Sequence, residues 1–143
     1  MQIRDIMTSN VEVVAPQATL QTAAQKMKDL NVGSLPVCDG EHLLGMITDR
    51  DITIRATAEG KNPQETAVCD TMSDGICYCF DDQYVNEAAA VMEEKQIRRL
   101  PILNRQKKLV GIVSMADLAV DGGNKQIAGR TITKISQPAQ PER

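Results

Sequence analysis

The chain has 143 residues, enough for one full core, with 42 % apolar but only 2 % aromatic residues and no Trp. Such a core must be built from Ile, Val, Leu, Met and Ala, and almost nothing remains for stacking nucleic-acid bases. The net charge of −3 and a pI near 5.2 give no basic footprint for nucleic acid or anionic lipid. No apolar run reaches the length of a membrane span, and the N-terminus lacks a signal-peptide stretch. The expectation is a soluble cytoplasmic protein with neither nucleic acid nor membrane as partner.

Residues 3–7 form a short amphipathic lead-in. Val11 to Ala15 reads as a strand closed by Pro16. Thr19 is placed to cap a helix whose apolar face is Leu20, Ala23, Ala24, Met27 and Leu30, at 3.6-residue spacing. Gly33 is expected to stop it. Leu35 to Cys38 and Leu43 to Ile47 read as the strands of a hairpin turned at Asp39-Gly40. Ile52 to Ala58 continues as a helix, and residues 59–66 form a linker broken by Gly60 and Pro63.

The second half runs the same way. Ile76 to Phe80 is its strand. Val85, Ala88, Ala89 and Met92 form its helix face, and Leu100 to Leu103 with Leu109 to Val113 its hairpin. Arg105, Lys107 and Lys108 crowd the turn as solvated charge or as a partner-binding patch. Gly122-Gly123 is expected to end the last helix of this half. Ile127, Ala128, Ile132 and Ile135 then have the spacing of a terminal helix over 122–136, whose apolar stripe needs a cover from the body of the protein or from another subunit. Residues 137–143, with Pro138 and Pro141, are expected to be disordered.

The chemistry gathers where an apolar strand meets a helix, at Gly45-Met46-Ile47-Thr48-Asp49-Arg50-Asp51. The free N–H groups of a first helical turn favour an anion there. Thr48 brings a hydroxyl, Arg50 a fork for phosphate and Asp51 two acceptors for ribose hydroxyls. Alternatively, Thr48 and Asp51 only cap the helix. The run recurs as Gly111-Ile112-Val113-Ser114-Met115-Ala116-Asp117. Met72 answers to Met7 and Met92 to Met27 at an offset of 65, and one inserted residue in the second hairpin makes it 66 at the glycine. A duplicated unit of this length implies halves related by a pseudo-twofold axis.

Four cysteines, at 38, 69, 77 and 79, lack the paired spacing of a zinc site. They read as buried thiols or, for Cys77 and Cys79, as a metal or redox pair. His42, the only histidine, is placed in a hairpin turn, and no nucleophile–base set, P-loop or GxGxxG run is present. No catalytic residue, no metal and no required cofactor are assigned.

The doubled β-α-β-β-α order, the Leu-Pro-Val strand at Leu35-Pro36-Val37 with its counterpart Leu100-Pro101-Ile102, and the Gly-x-x-(Thr/Ser)-x-x-Asp close resemble the cystathionine-β-synthase (CBS) motif. The resemblance covers about residues 3–121. It implies an α/β (α+β) fold of two intertwined motifs, 3–58 and 67–121, commonly paired as a flat homodimer. It also implies a regulatory module that binds AMP, ADP, ATP or S-adenosylmethionine between the repeats and acts on another, unidentified protein. Carried over by position, one ligand set is Thr48, Arg50 and Asp51 with Arg98 and Arg99 for phosphate and Ile76, Cys77 and Pro101 near the base. The other is Ser114 and Asp117 with Gly33 and Ser34, and Val11, Glu12 and Pro36 near the base. Ala116 stands where Arg50 stands, so the second set has no cation and is expected to bind more weakly. Two other readings stay open: a ligand-free dimerisation or interaction module, and a cysteine-based metal or redox sensor.

Overall fold

The computed structural model describes residues 1–73, 75–121 and 125–136 of the chain. It consists of two compact units. One is continuous, Glu12–Ile76; the other is split, Met1–Val11 together with Cys77–Arg143.

In the continuous unit, helix α1 (Leu20–Leu30) starts at Thr19, whose hydroxyl accepts the Thr22 N–H at 3.2 Å. Leu20, Ala23 and Met27 are buried, whereas the expected face members Ala24 and Leu30 are exposed. The stripe is narrower than the spacing suggested. The helix ends on Asn31 in the left-handed conformation, φ 55°, two residues before the expected stop at Gly33. Asn tolerates that conformation through local hydrogen bonding. Strands β1 (Ser34–Asp39) and β2 (His42–Thr48) pair antiparallel. His42 opposes Asp39 and opens β2 instead of lying in the turn. A first helical turn, α2 (Asp49–Asp51), leads into the helix expected from Ile52, which runs as a π-helical segment over Ile52–Thr57. Residues 59–66 fold back on the start of α1, with Gln21 and Leu20 N–H donating to the carbonyls of Pro63 and Thr66.

In the split unit, strand β3 (Cys79–Phe80) pairs parallel to β4 (Arg99–Leu103), which pairs antiparallel to β5 (Leu109–Ser114). Between β3 and β4 lies α3 (Val85–Lys95), whose Val85, Ala88, Ala89 and Met92 are buried as their spacing implied. Helices α4 (Met115–Asp121) and α5 (Lys125–Ser136) follow. Ile135 of α5 is buried in the core with α3 and α4 residues, and Ile132 is 43 % exposed. The side chains of Ile127 and Ala128, the stop at Gly122-Gly123 and the tail 137–143 lie outside the described residues.

Both leading strands are shorter than their apolar runs. Val14 alone bridges Val37, its N–H donating to Pro36 O and its carbonyl accepting from Cys38 N–H. Extending this parallel ladder back to Glu12 needs an N–H at residue 36, and proline has none. Pro101 imposes the same limit at Cys77, so β3 begins only at Cys79.

The two lead-ins are exchanged. The turn Ile3–Asp5 precedes the first repeat, yet Ile3 and Ile6 are buried with Cys79, Met92, Leu100, Ile102 and Val113 of the second. The turn Val68–Asp70 precedes the second repeat, yet Val68 is buried with Val14, Leu20, Leu35 and Ile47 of the first. Each lead-in then crosses the returning strand of its host. Thr8 and Ile112 exchange both backbone hydrogen bonds, and Ser73 N–H donates to Met46 O. The recurring glycines sit under these crossings. A Cβ on Gly45 would lie 2.8 Å from Ser73 O, and one on Gly111 2.6 Å from Met7 Sδ and 3.0 Å from Thr8 O.

Gly45→Ala and Gly111→Ala should each lower stability by about 1–3 kcal/mol through overpacking. Gly45 should cost more, because the atom in its way is backbone. Urea unfolding of the two variants checks this, and unchanged midpoints would contradict the close crossing.

Candidate functional site

At the end of β2, Thr48 and Asp51 cap the helix reciprocally. Thr48 N–H donates to Asp51 Oδ2 at 3.0 Å, and Asp51 N–H donates to Thr48 Oγ1 at 3.0 Å. Ser114 and Asp117 repeat the arrangement after β5, at 2.8 and 3.2 Å. Capping therefore accounts for part of the recurring pattern.

The first-turn N–H groups expected to face an anion are already used. Asp49 N–H donates to Gly33 O, Arg50 N–H to Asp49 Oδ1 at 2.8 Å, and Asp51 N–H to Thr48. After β5, Met115 N–H goes to Arg98 O and Asp117 N–H to Ser114. An anion at the first junction would have to be held by side chains. Arg50, Arg98 and Arg99 are exposed, and among the described residues their guanidinium groups have no hydrogen-bonded or ion-paired partner. Arg105 is committed elsewhere. It grips Asp82 with two bonds of 2.7 and 2.8 Å and lies 4.2 Å over the Phe80 ring. This pair holds the Asp82 carboxyl below, and the Arg105 guanidinium above, its ordinary range.

The two aspartates differ in surroundings. Asp51 is buried, 8 % exposed, and beyond Thr48 it meets two groups that the sequence reading missed. Ser73 Oγ donates toward its carboxylate at 3.3 and 3.5 Å, and Arg55 Nε lies 3.8 Å from Oδ1. Arg55 is four residues on from Asp51, a helical pairing readable in the sequence. Ser73 arrives through the exchange of lead-ins, which no local pattern announces. Asp117 is half-buried.

The remaining predicted residues divide between the units. Thr48, Arg50, Asp51 and Ile76 belong to the continuous unit, and Cys77, Arg98, Arg99 and Pro101 to the split one. Of the second set, Ser114, Asp117 and Val11 belong to the split unit, and Glu12, Gly33, Ser34 and Pro36 to the continuous one. Within single units, Ser34 is paired with Thr48 and Arg99 with Ser114. Pro36 and Pro101 are buried, while Ile76 is exposed.

Cys38 and Cys79 are buried, and burial pushes each thiol up to about 11; for Cys79 the neighbouring Cys77 and Glu87 add to the effect. Cys69 is exposed and Cys77 half-buried. Among the described residues no group of three or more His, Cys, Asp or Glu side chains could hold a metal ion, and no helix is long and apolar enough to cross a membrane.

A family model described as "CBS domain" matches residues 3–56 and 68–120, and the chain belongs to the CBS domain family. It carries two CBS domains, and such a pair is a regulatory module. It is 43 % identical over 134 residues to the CBS domain-containing protein YhcV of Bacillus subtilis, spanning 94 % of each chain. A crystal structure of Hypoxic Response Protein I with two coordinated zinc ions superposes with a TM-score of 0.79 at 39 % identity, covering 85 % of this chain and 98 % of that one. The CBS domain pair of protein MJ0100, in complex with 5-methylthioadenosine and S-adenosylmethionine, superposes with a TM-score of 0.73 at 25 % identity, covering 86 % and 100 %.

Folded protein at pH 8 should react with a thiol reagent at Cys69 and Cys77 but not at Cys38 and Cys79; all four should react after unfolding. The raised thiols also fix a sign. Keeping them neutral stabilises the fold below the unfolded thiol pKa of about 8.5. That contribution should be lost as pH climbs through the folded value near 11. Mass spectrometry of the labelled protein and unfolding curves at pH 8 and 10.5 check both statements. Fast labelling of Cys79 in the folded protein would contradict them.

Proposed function

We propose that the chain senses an adenosine-containing ligand (AMP, ADP, ATP or S-adenosylmethionine) and regulates another protein in response. The observation that carries the reading is the buried Asp51 carboxylate, held in place at a strand-to-helix junction where Thr48 and the exposed Arg50 also stand. An oriented carboxylate accepts from two vicinal hydroxyls, as ribose presents them, and a free guanidinium suits phosphate. The adenosine ligands of the MJ0100 pair support this choice of chemistry. The resemblance assigns Arg98 and Arg99 to the same ligand as Asp51, and Ser114 and Asp117 to a weaker second one.

Burial of Cys38 and Cys79 weighs against either of these two thiols acting as a thiolate. The reading as a homodimer rests on Ile54 and Val120, 48 % and 79 % exposed beyond the two junctions. Light scattering at micromolar concentration should give the mass of a dimer; a monomer would contradict it.

Titration calorimetry with adenosine and AMP tests the residue roles. Asp51→Ala should weaken both ligands. Arg99→Ala should weaken AMP roughly tenfold, the effect of losing one charge-assisted hydrogen bond, and leave adenosine nearly unchanged. Asp117→Ala should matter less. Loss of AMP binding in Asp117→Ala with normal binding in Asp51→Ala would reverse the assignment.

A further inference from the structure

Arg55 stands outside the ligand sets drawn from the resemblance, yet it joins Asp51 to the lead-in that crosses beside it. Its Nε lies 3.8 Å from Asp51 Oδ1, while a terminal guanidinium nitrogen donates to the carbonyls of Thr71 and Met72 at 3.4 and 3.2 Å. The next residue, Ser73, reaches both oxygens of the same carboxylate. Asp51 and residues 71–73 of the exchanged lead-in thus form one polar cluster within the continuous unit. Ser73 N–H is bound to Met46 O, and three residues further on the chain leaves this unit at Ile76.

In the sequence, the second repeat has no cation at the position equivalent to Arg55. With the offset of 66, Asp121 stands where Arg55 stands. A like charge four residues on cannot tie down Asp117 as a guanidinium ties down Asp51.

We propose that Arg55 and Ser73 form a latch that competes with a ribose for Asp51, so that ligand binding at the first repeat releases residues 71–73. The inference rests on the proposed role of Asp51. Thr48 N–H and Ser73 Oγ already donate to the carboxylate, and the Ser73 hydroxyl lies across both oxygens. A vicinal diol that donates to both oxygens takes the place of that hydroxyl, and Arg55 loses the carboxylate that orients it toward Thr71 and Met72. By linkage, removing the latch tightens the ligand, and binding the ligand loosens the latch.

Adenosine is the probe, because without a phosphate it gives Arg55 no anion to bind. Hydrogen exchange of the wild-type protein should speed up at the Met72 and Ser73 amides when adenosine saturates it. In Arg55→Ala these amides should exchange fast without ligand and respond little to it. Calorimetry should show adenosine binding about two- to fivefold tighter in Arg55→Ala and in Ser73→Ala, the equivalent of one ordinary hydrogen bond no longer given up. Ser73→Ala carries the test alone if Arg55→Ala does not fold. Adenosine binding to wild type with unchanged exchange at 72–73, or unaltered or weaker binding in the variants, would overturn the latch and leave the ligand reading standing. No adenosine binding to wild type would overturn both.

Discussion

The structure depends on the exchange of two short lead-ins. Neither repeat closes its core with its own: Ile3 and Ile6 complete the core of the second repeat, and Val68 completes that of the first. Fully burying an aliphatic side chain of this size contributes about 1.5–3 kcal/mol. Ile3 and Val68, both fully buried, are thus large contributors to units whose strands are two to seven residues long. The exchange also explains the recurring glycines. Gly45 and Gly111 leave room for a foreign backbone to cross the returning strand, and at Gly45 that backbone brings Ser73 to Asp51.

The same packing makes the repeats chemically unequal. Asp51 and Asp117 occupy equivalent caps, with the same reciprocal bonds to a hydroxyl residue three positions earlier. Only Asp51 is buried, and burial of a carboxylate is tolerated because Thr48, Ser73 and Arg55 surround it with donors. Most first-turn N–H groups already have partners, those of Asp49, Arg50 and Asp51 in the first repeat and those of Met115 and Asp117 in the second.

Much of the fold was legible in the sequence. The duplication followed from residues that recur at a fixed offset, the α+β fold from the resemblance they carry, and the Thr19 cap and the buried face of α3 from capping chemistry and periodicity. The departures have local causes. The leading strands stop where Pro36 and Pro101 withhold an N–H, α1 ends on Asn31 because a left-handed Asn suffices there, and α2 widens into a π-helical segment that residue pattern does not signal. The exchange itself was hidden, because it is a long-range choice between two equally apolar hosts. Thr48 and Asp51 could be picked out at their junction, but the free N–H groups expected beside them are occupied. Arg55 was visible as an (i, i+4) partner and passed over, whereas Ser73 could be placed only by the fold.

Hydrogen exchange of Ile3→Ala tests the exchanged architecture most directly, since it asks which repeat a residue at the start of the first one serves. Truncating a buried Ile to Ala removes about 2–5 kcal/mol. Protection should fall mainly in residues 79–118, with a smaller effect in residues 14–56. Loss of protection centred on residues 14–56, with 79–118 unchanged, would show that each lead-in packs on its own repeat and would contradict the account.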